Sequence, residues 1–357
     1  MDKKFVMGIA AMAALTLVSC SSDDLDSFSD NSSKNEAISF DGYLGRSAVA
    51  VNGTRGSEVK IGNLQSEESK GFGVFGYYNN SATEHKPETE QTFDANLFNN
   101  QQVTYKNSKW TYSPLKFWPV QGHIDFLAYA PFDAGTFEST YHLKFNVSEK
   151  ITDQVDLLYA KADGKTKNNI STDNNKVKFH FNHALSRLGY TAKLSGDYSS
   201  NATFTLDKIT LAGSADEKKN AFYTSGTIDL SKEKNAQDFW KGSDDKRNYT
   251  WSPAKSVTVN SEDTKCSDPN YLFVIPQDFS KAEEGADKLY VIVTYTIKYN
   301  GVTEPIKNTV YKQIIKKIEP GTAYVINLTL GLPIEFDATV TEWGNDNSID
   351  CTEPWDR

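Results

Sequence analysis

Beyond its first twenty residues, this 357-residue chain lacks any long apolar run. None of that remainder offers the roughly 20 apolar residues that a membrane-spanning helix needs. Cysteine is scarce. Cys20, Cys266 and Cys351 form neither a CxxC spacing nor a Cys/His cluster, so a structural zinc site is not expected. Histidine is scarce too, with five in all. His180 and His183 lie three apart in a strand pattern, which puts them on opposite faces, and no HExxH accompanies them; a structural role is expected. There is no GxSxG elbow and no phosphate-cradling P-loop, and the GxGxxG match at Gly71 to Gly76 falls inside an apolar strand pattern rather than at a strand-to-helix turn. Glu262, Asp263 and Asp268 share one loop but lack the alternating oxygen ligands and glycine of an EF-hand. No catalytic residue, metal or cofactor is therefore expected. Positive charge is outnumbered: 38 Lys and Arg stand against 47 Asp and Glu. An acidic surface argues against nucleic acid as a partner.

What is there begins with the head. Lys3 and Lys4 precede an uncharged apolar run from Phe5 to Val18, too short for a span and shaped like a secretory signal, residues 1–19. Leu17-Val18-Ser19-Cys20 resembles the lipobox of bacterial lipoproteins. That resemblance implies cleavage before Cys20, lipid on its thiol and new amino end, and anchoring without a membrane helix. Without residues 1–19, 36 basic residues face 46 acidic ones, a net of −10. Residues 20–36 are rich in Ser, Asp and Asn with little to bury, and read as a flexible tether. Serine and acidic residues just after a lipidated cysteine also resemble a signal that sends lipoproteins to the cell surface in some Gram-negative anaerobes.

The rest is β-patterned and aromatic; the whole chain holds 18 Tyr, 20 Phe and 6 Trp, and only Phe5 and Phe28 of these fall in its first 36 residues. Short alternating runs are separated by turn residues. Ala37 to Phe40 is the first, and Phe72 to Tyr78 follows. Val103–Tyr105 and Trp110–Tyr112 flank Lys106–Lys109 as a hairpin. Ile124 to Ala130 reads as a buried strand, and Lys161 to Lys176 as a polar interdomain connection. Val177–Phe181, Phe204–Leu211 and Tyr324–Leu330 continue the pattern, with the strongest strand signal at residues 289–299. Ile334, Phe336, Ala338 and Val340 alternate with polar residues and close it. Some 320 ordered residues exceed one comfortable core. Two antiparallel β-sandwiches in tandem fit this spacing, over residues 37–170 and 171–357. Cys266 and Cys351 either pair, as exported cysteines do, or stand as free thiols. Trp110, Tyr112, Phe117 and Trp118 serve either as core aromatics or as a sugar-binding platform.

Several stretches, taken in order, resemble the fimbrillin family of type V pilins and accessory pilins. They are the lipobox, Ile38-Ser39-Phe40, Thr54-Arg55, Phe72 to Phe75, Val103-Thr104-Tyr105, Trp110 to Pro114 with Phe117-Trp118-Pro119, and Asp125 to Pro131. Asp156 to Ala160, Phe181 to Ser186, Pro320 to Tyr324, Ile334-Glu335-Phe336 and Val340 to Trp343 complete the set. The resemblance implies two transthyretin-like β-sandwich domains and no enzymatic activity. It implies an outer-membrane lipoprotein precursor, cut after an N-terminal arginine by a trypsin-like arginine-specific protease, and a mature subunit in a cell-surface fimbrium. The cut would fall at Arg55 or Arg46 and remove Ala37, Ile38, Ser39 and Phe40, with the strand extending to Leu44. Another pilin subunit would then supply a strand, for which Ile334 to Val340 is the donor candidate in this chain. A host or bacterial surface ligand is a further expected partner. The competing expectation is a lipid-anchored surface glycan-binding protein that keeps its anchor and exposes the aromatics of 110–118.

Overall fold

The computed structural model describes residues 36–44, 59, 61–80, 96–139, 141–170, 174–194, 196, 200–252, 257–259, 264–265 and 270–330. Among them the only α-helix is the single turn Ile61–Leu64, and one 3₁₀ turn lies at Ile151–Asp153; the rest is strand, turn and loop. The chain is therefore all-β and sandwich-like, as its alternating patterns imply.

The first eleven strands in chain order are β1 (Phe40–Leu44), β2 (Phe72–Asn79), β3 (Phe98–Lys106), β4 (Lys109–Thr111), β5 (His123–Ala130) and β6 (Thr136–Phe137), then β7 (His142–Asn146), β8 (Leu158–Lys165), β9 (Val177–His183), β10 (Ser186–Leu194) and β11 (Ala202–Ala212). A seven-stranded sheet has the order β1-β9-β8-β5-β2-β3-β4. Its central strand β5 is buried along its whole length, which explains why it is mostly apolar on both faces, with only His123 and Asp125 polar. The β3–β4 hairpin turns at Asn107 and Ser108, both at positive φ (50° and 60°), as a two-residue hairpin requires.

Later strands build the other sheets. β11 pairs with Leu289–Tyr299, which pairs in turn with Ile306–Ile314. β10 runs parallel to Ala323–Leu330 and carries Leu272–Val274 on its opposite edge. Pairing crosses residue 170 in both directions. β9 lies beside β8 in the seven-stranded sheet, and β7 pairs with Ser225–Asp229. The expected connection at Lys161–Lys176 is corrected in its first part, which continues β8. Lys161 stays in register with Leu127 of β5, and its ammonium donates to the Ser231 carbonyl at 2.6 Å.

Two apolar cores result. The larger joins one face of the seven-stranded sheet (Phe75, Tyr77, Leu127, Tyr129) to the strands of the second half. The smaller lies on the sheet's other face and holds Ile38, Phe40, Leu44, Phe72, Phe98, Phe126, Phe179 and Phe181.

Candidate functional site: the groove that holds the first strand

β1 has the period-two pattern of a half-buried strand. Ile38 (1% exposed), Phe40 (2%) and Leu44 (7%) face the smaller core, whereas Tyr43 (47%) faces out over His180. Its backbone lies parallel to β9, in register from Phe40 opposite Val177 to Leu44 opposite Phe181. Just before β1, the other edge is also engaged. The Ile38 N–H donates to the Lys116 carbonyl at 2.8 Å, and the Trp118 N–H to the Glu36 carbonyl at 3.0 Å. Ala37 forms an antiparallel bridge with Phe117. Val177 N–H donates to the Ser39 carbonyl at 2.8 Å, and the Ser39 hydroxyl to the Asn175 carbonyl at 3.1 Å. The four residues Ala37 to Phe40 thus sit in a slot with one wall from β9 and one from residues 116–118.

The slot is lined by rings. Phe40 lies 5.4 Å from Phe98, 5.4 Å from Tyr112, 5.7 Å from Phe126 and 5.6 Å from Phe179, between centroids. Such a phenylalanine adds about 1.5–3 kcal/mol by burial, with a further contribution from its edge-to-face contacts. The Tyr112 hydroxyl donates to the Ile38 carbonyl at 2.7 Å. Burial raises its pKa above the ordinary phenol value, so it remains a donor at neutral pH. Two residues on, Gly42 sits under Phe181, Trp110 and Phe72. A methyl at that position would meet them at 3.4, 3.6 and 3.8 Å, ordinary contact distances.

The chain resumes at Val59, which is buried and donates its N–H to Asp156 Oδ2 at 2.9 Å. That fully buried carboxylate also meets His183 Nδ1 at 2.9 and 3.1 Å. One buried carboxyl group thus ties the segment after β1 to the end of β9 through two polar partners. The sequence reading gave His183 a structural role but no partner; no local pattern links positions 59, 156 and 183.

Of the residues singled out from the sequence, Ala37, Ile38, Ser39 and Phe40 come together in this groove. Cys20, Arg46, Arg55, Cys266, Cys351, Ile334, Phe336, Ala338 and Val340 lie outside the described residues. The four aromatics weighed as a platform do not share an exposed face. Trp118 is 3% exposed, and Trp110 and Tyr112 pack against the smaller core; Phe117 alone is open, at 48%. The reason is the groove, because these rings cover β1. Among the described residues no group of three or more His, Cys, Asp or Glu is placed to hold a metal ion.

Comparison with known proteins agrees with this architecture. The family model described as Fimbrillin-like matches residues 54–343. The Fimbrium subunit Fim1C of Phocaeicola vulgatus is 24% identical over 388 residues, covering 96% of this chain and 97% of its own. The crystal structure of a fimbrial protein from Bacteroides vulgatus superposes with a TM-score of 0.65 at 20% identity, over 88% of this chain and 99% of that one. The structural likeness shows a shared fold.

Proposed function

The chain belongs to the fimbrillin-like family, and from that premise we propose that it is a non-catalytic structural and adhesive subunit of a surface fimbrium. In this reading it is exported as a lipoprotein, held at the outer membrane through Cys20, and freed when an arginine-specific protease cuts after Arg55 or Arg46. Removal of β1 leaves a groove that a strand from another subunit fills. The observation that carries this reading is the seating of β1. It is the terminal strand of its sheet, it buries Ile38, Phe40 and Leu44, and its backbone bonds run to β9 and residues 116–118. Main-chain bonds of this kind accept any strand with the right alternation. The cut favoured is Arg55, flanked by Gly53 and Gly56 and lying four residues before the anchored Val59. A cut there leaves a short new end fastened at Asp156, while β1 is held by the groove alone.

The test is trypsin treatment of the intact precursor, read by N-terminal sequencing and size. One product beginning at Gly56 or Ser47, with gained ability to bind strands, is expected. Diffuse digestion, or native cell-surface protein that still begins at Cys20, would overturn the reading.

A further inference from the structure

Large apolar side chains reach the surface in two places among the described residues. Tyr43, Leu115, Phe117 and Val120 stand on β1 and the segment that walls its slot; Val302, Ile306 and Ile315 stand at the two ends of the strand Ile306–Ile314. That strand is the end of its sheet. It pairs with Leu289–Tyr299 on one side and, among the described residues, with nothing on the other. Its nine residues make a long open edge, and the unpaired N–H and C=O groups of such an edge invite a further strand. We propose that a second copy of this chain supplies that strand. The two Ile306–Ile314 edges pair antiparallel across a two-fold axis at Val310, and join the two sheets into one. The contact is side by side and uses a different sheet from the one that holds β1.

The larger core runs out at this strand. Residues opposite each other in an antiparallel ladder share a face. Ile306, Val310 and Ile314 lie opposite Ile297, Val293 and Leu289, all three buried. Ile306 is nonetheless 49% exposed, and Val310 and Ile314 are only half-buried. A neighbouring strand with apolar residues at the same spacing would complete their cover. This strand carries that spacing itself, and in both directions, because positions 306 and 314 are symmetric about Val310. Pairing about Val310 sets Ile306 against Ile314 of the second copy, Val310 against its own counterpart, and Ile314 against Ile306. The side chains between them suit as well. Asn308 meets Lys312, Lys307 meets Gln313 and Thr309 meets Tyr311, so no like charges stand opposite. Past the strand ends, the same register brings Pro305 opposite Ile315 and Glu304 opposite Lys316. The two-fold axis makes that opposite-charge pair twice.

Other registers fail on the same residues. An axis at Thr309 sets Ile306 opposite Lys312. An axis at Tyr311 sets Val310 opposite Lys312 and Ile314 opposite Asn308. An axis at Lys312 puts two lysines face to face, and one at Asn308 pairs only residues 306–310 of the strand. A slip of one residue turns the core face of one copy onto the solvent face of the other. A second copy is favoured as the occupant because a two-fold contact requires a patch that fits itself, and this pattern is its own complement in apolar and charged positions alike. Repeated along a fimbrium, weak contacts of this kind would add up to a side-by-side bond between filaments, a consequence that rests on the function proposed above.

The experiment uses the full-length, uncut chain, so release of β1 plays no part in it. Sedimentation velocity is followed up to about 300 μM, a range that detects the weak association of a small interface. Low ionic strength keeps surface charge pairs unscreened. A reversible dimer is expected. Glu304→Lys and Lys316→Glu should each weaken it about threefold or more, since each sets like charges opposite on both sides of the axis. An equimolar mixture of these two variants should recover the affinity of the unaltered chain to within about twofold, because both pairs are then opposite in sign again. Val310→Lys places two like charges on the axis itself and should leave the chain monomeric over this range. If Val310→Lys does not fold, the two surface charge variants decide alone. A chain that stays monomeric up to the highest concentration overturns the proposal. So does a dimer that neither charge variant weakens, because it then uses another surface. Single variants that are weakened while their mixture is not restored overturn the two-fold register. None of these outcomes bears on cutting at Arg46 or Arg55. The trypsin experiment can fail while this dimer forms, and the dimer can fail while the trypsin experiment succeeds.

Discussion

The two cores differ in their tyrosines: both bury phenylalanines, but only the larger buries tyrosines as well. The smaller one, which holds β1, is a phenylalanine core, with Phe40, Phe72, Phe98, Phe126, Phe179 and Phe181 buried and no tyrosine fully inside. The larger one buries Tyr77, Tyr129, Tyr159, Tyr190, Tyr249, Tyr295 and Tyr324. A buried phenol needs a hydrogen-bond partner, and that partner fixes which residue fits where. The Tyr129 hydroxyl donates to Asn100 Oδ1 at 2.8 Å; that of Tyr324 accepts from the Glu319 N–H at 2.8 Å. A phenyl ring asks only for shape and apolar surroundings. If β1 is replaced by a strand from another molecule, as proposed, such a core suits the exchange, because its ring contacts require no side-chain hydrogen bond to be re-made. Around β1 the polar contacts run to backbone groups, as with Tyr112 on the Ile38 carbonyl.

The largest expected effect comes from emptying the phenylalanine core at its shared contact. Phe40→Ala should destabilise the uncut protein by about 3–5 kcal/mol, because four rings lose their common partner and the pocket cannot collapse around a methyl. Denaturant melts measure the loss, and proteolysis timed against wild type should show β1 released first. Phe204→Ala in the larger core should cost a similar amount without loosening β1. If Phe40→Ala costs less than about 1 kcal/mol, below the ordinary range for a buried phenylalanine, then β1 is not a structural part of the precursor.

Much of the contrast between the cores was legible beforehand, and the limits have a physical basis. Alternation tells which side chains of a strand face inward, so Ile38 and Phe40 were readable as core. The same holds for residues 289–299, which are a strand over that full range. The 103–112 hairpin was readable because a two-residue turn with Asn and Ser leaves a short-range signal. Alternation does not name a partner strand. That β1 lies parallel to β9, 137 positions on in register, depends on packing that no local pattern records. The same gap hid the Val59–Asp156–His183 contacts. Trp118 could not be told from a binding aromatic because prolines flank surface rings and core rings alike; its place against Phe126 follows from the sheet.

Alkaline pH should separate the cores by chemistry rather than by mutation. Burial pushes Tyr159, Tyr249 and Tyr295 up to about 12, and raises Tyr77 further. The folded state holds these protons where the unfolded chain, with phenols near 10, releases them. The stabilisation is therefore complete below about pH 10 and falls as pH rises from there towards 12. Melts between about pH 8 and 12 should show a flat melting temperature at first, then a decline. Near-ultraviolet circular dichroism should lose its tyrosine signal as it falls. Tyr112 at the groove also has a raised pKa, but the six phenylalanines around it do not titrate. A melting temperature that stays constant up to about pH 12 would mean that these phenols are solvated and the contrast between the cores is unfounded.

The smallest effect tests the groove at Gly42. Gly42 is in a strand, and its φ lies outside the left-handed region that favours glycine. An alanine methyl there would rest at 3.4–3.8 Å from Phe181, Trp110 and Phe72. Gly42→Ala should therefore be accommodated, and by restricting the unfolded chain it should stabilise the uncut protein by about 0.4–1 kcal/mol. Gly42→Leu should instead destabilise it by about 1–3 kcal/mol, because the added branch has to move Trp110 or Phe181. The sign change between the two substitutions, read from denaturant midpoints, measures the room available between β1 and the rings of the groove. If alanine also destabilises by more than about 1 kcal/mol, the position is too tight for a methyl and the groove would accept only a strand with glycine there. A tighter hold on β1 from Gly42→Ala should also slow its displacement after cutting by about two- to fivefold, the kinetic counterpart of that gain in stability if the contact is lost on the way out.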